Sequence, residues 1–411
     1  MKAAILSVGT ELLFGQITNT NSVYLSQQLN SLGFDVMYHY TVGDNASRLK
    51  KIIEMAFADC SLVITTGGLG PTQDDMTKEV ACEVLNDRLA LDKEALERIE
   101  SVFIKLNREM TDNNLKQAYF PERSEIFYND AGTAPGFALE CEGKTIICLP
   151  GPPREMVRMF EQSAKPYLEK RTEEKIFFRM VRTFGIGESS LETELLDLIN
   201  GQTDPTLATY AKDGECSLRV ASKRKTRAEA EAAVNEMIIR VKARVGDYIF
   251  SCDDENLSDV VAHLLIEKNI TVSCAESCTG GLFAETLTRT PGVSEIFDRG
   301  VVTYSNRAKT DELGVKAETI EKYGAVSVET AVEMARGLKE KTGSRLCVSV
   351  TGIAGPGGAT EGKPVGMFCV CMIFDGKEET REIRQRDINR TVNRNYFMLY
   401  MMHMIYRAIC S

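Results

Sequence analysis

A chain of 411 residues, 43% hydrophobic and 26% charged, is too long for a single hydrophobic core and too apolar for disorder, so it divides into two to four folded domains. A formal net charge of −10, from 49 basic and 59 acidic side chains, argues against a nucleic-acid surface spread over the whole molecule. The longest apolar stretches, residues 367–374 and 396–406, fall short of a membrane span, and the opening MKAAILSVGTELL lacks a signal peptide's apolar core and cleavage site, so a cytoplasmic address is expected. The first strand runs into Gly9-Thr10-Glu11-Leu12-Leu13-Phe14-Gly15, with Asn19 and Asn21 close behind.

Residues 60–66 read as a buried strand, and Gly67-Gly68-Leu69-Gly70-Pro71-Thr72-Gln73-Asp74-Asp75-Met76-Thr77 turns it into a helix over 78–85. A dinucleotide fingerprint would need glycine where Gln73 stands, and a P-loop would need Gly-Lys-Ser/Thr; neither fits. An aspartate pair in place of the P-loop lysine suggests that phosphate charge is met by a bridging divalent cation together with the helix N-terminus. The alternative is a pair of ordinary first-turn acids beside the positive helix end, which accounts for one aspartate more easily than for two. No lysine or histidine stands within the turn. Asp74 and Asp75 are therefore the candidate metal ligands, and Gly68, Gly70 and Thr72 the phosphate contacts. Glu11 and Asp44, at or just beyond the ends of strands, are the next metal candidates at the same sheet edge.

Two further loops, Asn129-Asp130-Ala131-Gly132-Thr133-Ala134-Pro135-Gly136 and Leu149-Pro150-Gly151-Pro152-Pro153-Arg154-Glu155-Met156, also follow strands, so all four converge on the carboxyl edge of a parallel sheet. This set resembles the molybdopterin-binding fold as it occurs in the N-terminal domain of the CinA family. The resemblance implies a nucleotide-diphosphate hydrolase, best known as an ADP-ribose pyrophosphatase. Relatives with this fold that only bind or adenylylate a pterin leave a pterin-binding role open.

Residues 175–250 read as strand, helix (190–199), strand (206–211), strand (216–222), helix (226–245) and strand (248–250). This small α/β unit resembles the KH-like middle domain of the same family. Its basic turn Lys223-Arg224-Lys225 with Arg227 could touch RNA, but Gly185-Ile186-Gly187-Glu188 ends in an acid and matches the GxxG clamp poorly, which favours a solvated turn and a spacer. A polar linker, 251–256, follows.

An apolar strand over 270–274 then gives way to Ala275-Glu276-Ser277-Cys278-Thr279-Gly280-Gly281 and a helix from Leu282. Ser277 near a helix N-terminus has backbone N–H groups at hand to hold an anion, which suits acyl chemistry; a plain helix cap is the alternative. The three histidines, His39, His263 and His403, fall in a strand and two helices away from this turn, so a Ser-His-Asp set is poorly supplied. Lysine is the other base that activates serine, and Gly300-Val301-Val302-Thr303-Tyr304-Ser305-Asn306-Arg307-Ala308-Lys309 offers Tyr304 and Lys309 together. The alternative for Lys309 is a solvated lysine at a helix start. A strand over 346–350 leads into Thr351-Gly352-Ile353-Ala354-Gly355-Pro356-Gly357-Gly358, whose N–H groups could cradle a phosphate, and Lys363-Pro364-Val365-Gly366 follows. Twelve cysteines scattered without Cys-x-x-Cys spacing read as small buried hydrophobes, not disulfides or zinc ligands.

AESCTGG, YSNRAK, TGIAGP and KPVG, in that order, closely resemble the C-terminal domain of the CinA family, the PncC-type nicotinamide mononucleotide amidases. The resemblance implies Ser277 as nucleophile, not the adjacent Cys278, with Lys309 taking its proton and Tyr304 relaying or orienting it. It places substrate contacts at Thr279, Gly280, Gly281, Asn306, Thr351, Gly352 and Gly355, and charge for the substrate phosphate at Arg390 and Arg394, one helical turn apart. The expected architecture is three α/β units. Residues 1–168 form a doubly wound molybdopterin-binding-like domain, 169–252 a KH-like spacer and 253–411 an α/β deamidase. Expected partners are nicotinamide mononucleotide, ADP-ribose and a second copy of the chain, with a divalent cation for the N-terminal site and no cofactor for the deamidase. The name of the family leaves a competence- or DNA-damage-associated adapter as the rival role.

Overall fold

The computed structural model describes residues 1–105, 107–171, 175–212 and 214–410. The chain is mixed α/β and separates into two compact units, one of Met1–Phe178 with Ser222–Ala233, the other of Arg179–Ala221 with Val234–Ser411.

The first unit is built on a sheet whose strands lie in the order Asp35–Val42, Lys2–Val8, Leu62–Thr66, Lys144–Leu149, Gly136–Cys141, Glu125–Phe127. The strand Lys2–Val8 is buried along almost its whole length because both faces are covered: Ala4, Leu6 and Val8 enter one core and Ala3 and Ile5 the opposite one. That alternation makes the sheet doubly wound, as expected. The first four strands are parallel, but Gly136–Cys141 runs against its neighbours on both sides. It must, since a two-residue turn, Glu142-Gly143, joins it to the strand Lys144–Leu149, and a turn so short can only reverse the chain.

Register sets the parallel strand ends level: Val8 faces Val42, Ser7 faces Thr66, and Thr66 faces Leu149. Gly9, Asp44, the turn from Gly67 and Pro150-Gly151 therefore emerge side by side. Gly67 has φ +105°, and a β-carbon there would lie 2.1 Å from the Val8 carbonyl oxygen, so only glycine lets the two strand ends approach this closely.

A four-stranded sheet carries the KH-like segment, and in the second unit a five-stranded sheet orders as Phe297–Val302, Val272–Glu276, Leu346–Gly352, Met367–Phe374, Lys377–Arg384. Three parallel strands end level, with Glu276 facing Val302 and Val350. The helices Leu257–Glu267 and Arg390–Cys410 cover one face with Phe397, Met401, Met402 and Ile405, all fully buried; each such side chain stabilises by roughly 2 kcal/mol. The helix Val328–Thr342 covers the other face.

Candidate active sites

The strand Val272–Glu276 delivers Ser277 to the level sheet edge, where Ser277 N donates to Val350 O at 3.0 Å. On the neighbouring side, Ser305 caps the helix Asn306–Leu313 by accepting from Ala308 N at 3.0 Å, which fixes the first turn and brings Lys309 back over the sheet end. Lys309 is 1% exposed, so the solvated alternative fails. Its Nζ stands 2.9 Å from Ser277 Oγ, 2.8 Å from Thr303 O and 3.4 Å from Tyr304 O. Burial lowers its pKa from the ordinary lysine value, a shift that the nearby Cys278 thiol opposes. Cys278 is itself buried, and desolvation pushes its thiol up to about 12, so it stays protonated at neutral pH.

The helix Leu282–Leu287 does not offer its N-terminus to a substrate. Glu276, 1% exposed, folds its carboxylate beneath it: Oε2 accepts from Gly281 N at 3.0 Å and Phe283 N at 3.1 Å, and Oε1 from Ala284 N at 3.0 Å. A buried acid at a strand end carries no sequence signal that separates it from an exposed one, and its role was not legible.

The remaining expected residues gather unevenly. Tyr304 is 59% exposed, and its hydroxyl bonds Arg390 Nη2 at 2.7 Å; among the described residues it makes no bond to Ser277 or Lys309, which meets only its carbonyl. Arg390 Nη1 donates to Gly355 O at 2.7 Å, and Arg394 Nη2 donates to Thr279 O. The arginine pair thus joins the Gly355 loop, the Ser277 turn and Tyr304. Gly280 and Gly281 take φ of +61° and +94° to make that turn, Thr279 is fully buried, and Asn306 is exposed at the first position of its helix. Thr351 directs its hydroxyl to Ala325 O at 2.7 Å, and Gly352 has Phe368 packed where a β-carbon would stand. Asn393 was missed: fully buried, it donates to Ala354 O at 3.1 Å and to Asp387 Oδ1 at 2.9 Å, anchoring the helix start to the glycine loop. Lys363 of the KPVG segment donates to Val326 O at 2.7 Å and to Tyr323 O. No histidine enters the site; burial against Phe184, with Arg407 nearby, lowers His403 to about 4.

In the first unit, Gly9, Glu11, Asp44, Gly67, Gly68, Gly70, Asp74, Asp75 and Glu155 line one cleft of about 400 Å³ at the level strand ends. The expected carboxylates and glycines therefore come together, with Glu155 added, while Thr72 does not line the cleft. Asp44 Oδ2 accepts from Thr10 N at 3.0 Å and Thr10 Oγ1 at 2.8 Å, and Asp75 Oδ2 accepts from Thr72 N at 3.0 Å and from the Thr72 hydroxyl. The Thr72 hydroxyl also leads the causes that hold the exposed Asp74 carboxyl below its usual range. Thr72 thus serves the two aspartates as a donor. A lysine does reach the turn, from far along the chain: Lys116 Nζ donates to the carbonyls of Thr72 and Asp75 and pairs with Glu79 at 3.2 Å. Lys78 is buried, donating to Lys116 O at 2.9 Å and Gln117 O at 3.0 Å, and burial lowers it to about 8.

Among the described residues, no three His, Cys, Asp or Glu side chains form a ready metal cage. The donors present are oxygens, which suits a hard cation held by one or two carboxylates and completed by phosphate oxygens and water. No helix among the described residues is long and apolar enough to cross a membrane, and all twelve cysteines are free thiols.

Comparison with known proteins assigns the architecture. Residues 4–170 match the family described as "Probable molybdopterin binding domain", 178–251 the "Damage-inducible protein CinA KH domain" and 254–409 the "CinA C-terminal domain". A "Putative competence-damage inducible protein" of Acetivibrio thermocellus is 48% identical over 409 residues, covering 100% of this chain and 99% of its own length. The chain belongs to the CinA family. A "CinA-like protein" of Dictyoglomus thermophilum is 49% identical over 93% of each chain. The crystal structure of competence/damage inducible protein CihA from Agrobacterium tumefaciens is 40% identical, covering 38% of this chain and 98% of its own, with a TM-score of 0.37.

Proposed function

We propose that this CinA protein hydrolyses the amide of nicotinamide mononucleotide, releasing nicotinic acid mononucleotide and ammonia, at Ser277 and Lys309. The observation that carries the reading is the fully buried Lys309 Nζ 2.9 Å from Ser277 Oγ. A neutral amine has two N–H donors and one lone pair. The Thr303 and Tyr304 carbonyls take the donors, which leaves the lone pair for the Ser277 hydroxyl proton. Ser277 Oγ then bonds to the amide carbon, the carbonyl π pair moves to oxygen, and collapse expels the amine with the proton now on Lys309. Water hydrolyses the resulting ester by the same proton path in reverse, restoring Ser277. Arg390 and Arg394 supply charge for the substrate phosphate, and Arg390 holds Tyr304 at the rim. Ser277→Ala is expected to abolish ammonia release from nicotinamide mononucleotide and Cys278→Ala to keep most of it; the reverse pattern would sink the assignment.

A second activity, hydrolysis of ADP-ribose, is proposed for the N-terminal cleft. Five carboxylates, Glu11, Asp44, Asp74, Asp75 and Glu155, line it, and a diphosphate enters such a cleft only with a cation between the charges. Asp75, with one oxygen held by Thr72 of its own turn, and Asp44, with one held by Thr10, would hold the cation, completed by phosphate oxygens and water, with Asp74 and Glu11 adding charge around it. When bound, the cation would neutralise phosphate charge and acidify a water. Gly68, Gly70 and Thr72 would contact phosphate. Together the two reactions would recycle pyridine-nucleotide fragments in the cytoplasm, with a homodimer as the working form. The competence-damage names of relatives support the rival reading, an adapter in which one or both sites are silent, and the fold of residues 4–170 supports pterin binding.

A further inference from the structure

Glu276 lies beside the nucleophile, yet its side chain points away from it. Its carboxylate is 1% exposed and accepts three backbone N–H groups, those of Gly281, Phe283 and Ala284, and the buried Cys274 thiol at 3.6 Å from Oε1. Charge-assisted bonds of this kind are roughly twice as strong as neutral ones. They clamp the Ser277–Gly281 turn between the end of the strand Val272–Glu276 and the start of the helix Leu282–Leu287. The main chain of the same residue works on the other partner: Glu276 O accepts Thr303 N at 2.8 Å, and Thr303 O accepts Lys309 Nζ at 2.8 Å. A closed circuit results, running from Glu276 to Thr303, to Lys309, across 2.9 Å to Ser277 and back along the chain to Glu276.

We infer that Glu276 is a positioning residue for the Ser277–Lys309 pair, its buried carboxylate fixing the turn so that hydroxyl and amine stay in hydrogen-bond reach. A helix cap alone would not need to be buried, nor to reach three donors around the start of a six-residue helix. Glutamine at this position retains the shape but offers one acceptor oxygen and an NH₂ group. That group would face either the Ala284 N–H or the Gly281 and Phe283 N–H groups, donor against donor. The turn relaxes, the serine moves off the amine, and water reaches Lys309. A displacement near 1 Å costs on the order of 10²-fold in rate.

The inference rests on the amidase reading, so the test carries a readout that does not. Glu276→Gln and Glu276→Asp are compared with the parent for ammonia release from nicotinamide mononucleotide, for thermal midpoint, and for the rate at which a fluorophosphonate labels Ser277, followed by intact mass. Expected in Glu276→Gln is a fall in kcat of about 100-fold with KM within about three-fold, an alkaline shift of the pH–rate midpoint as Lys309 becomes solvated, and a parallel fall in labelling rate. A cap of purely structural role lowers the thermal midpoint and leaves labelling, kcat and pH midpoint of the folded protein unchanged, which would overturn the inference. If Glu276→Gln does not fold, Glu276→Asp, which keeps the charge but withdraws it by one methylene, decides by the same labelling rate. A parent protein that labels at Ser277 but releases no ammonia defeats the substrate reading while the labelling comparison still judges Glu276.

Discussion

Lys309 can act as a base only in its neutral form, and its surroundings favour that form. Burial disfavours the ammonium, lowering the pKa, while the two carbonyls that it meets are satisfied by a neutral amine's two donors. The sign follows directly: below the depressed pKa the side chain is protonated and cannot take the Ser277 proton, above it the lone pair is free. The kcat of deamidation is therefore expected to rise with pH through a single ionisation whose midpoint lies below the ordinary lysine value near 10.5, and Lys309→Arg is expected to remove the rising limb with the activity. A kcat that does not rise with pH anywhere below 10.5 in an otherwise active enzyme would remove Lys309 from the role. Ser277 and Lys309 were legible in sequence because each sits in a short ordered motif. Glu276, Asn393, Lys78 and Lys116 were not: charged and amide residues read as exposed, and only folding shows which become buried or find distant partners.

The helix Arg390–Cys410 divides its labour along its length. Its buried stretch from Phe397 to Ile409 packs on the sheet, and the Phe368 and Phe397 rings stack with centroids 4.2 Å apart. Its first turn turns Arg390 and Arg394 toward Gly355, Tyr304 and Thr279. Rigid packing of the rest is what lets two long side chains hold a defined place. A charge-assisted bond to phosphate contributes about 1.5–3 kcal/mol, so Arg390→Ala should raise KM for the nucleotide by roughly 10- to 100-fold while the dephosphorylated riboside is affected much less. Equal effects on both substrates would mean that Arg390 serves only to hold the Gly355 loop and Tyr304. The strands read over 270–274 and 346–350 lie within two residues of those found, Val272–Glu276 and Leu346–Gly352, since apolar runs leave little choice. The single helix expected over 190–199 is two helices, Glu188–Glu194 and Leu196–Asn200, because the chain kinks at Leu195, where Leu191, Leu195 and Leu198 are all buried.

At the scale of the whole molecule, each proposed site stands at the carboxyl edge of its own sheet, in a different compact unit. The convergence of loops at such an edge was legible because every motif followed a strand. The antiparallel Gly136–Cys141 was not, since a buried strand looks alike in either direction and only the two-residue turn after it forces the reversal. Separate sheets with separate cores imply separate chemistry. The N-terminal reaction is expected to need an added divalent cation after chelation and to be lost in Asp75→Ala, because Asp75 fixes the Gly67–Thr77 turn through Thr72 and would hold the cation as well. Asp75→Asn separates those two duties: its side-chain carbonyl can still accept from Thr72, but the charge is gone. ADP-ribose hydrolysis measured with and without magnesium in the parent, Asp75→Asn and Ser277→Ala should fall only in Asp75→Asn and only be restored by metal in the other two. Ammonia release should show the opposite pattern, lost in Ser277→Ala and indifferent to metal and to Asp75. Hydrolysis untouched by chelation and by Asp75→Asn would refute the cation assignment, and loss of both activities in either variant would refute the independence of the two sites.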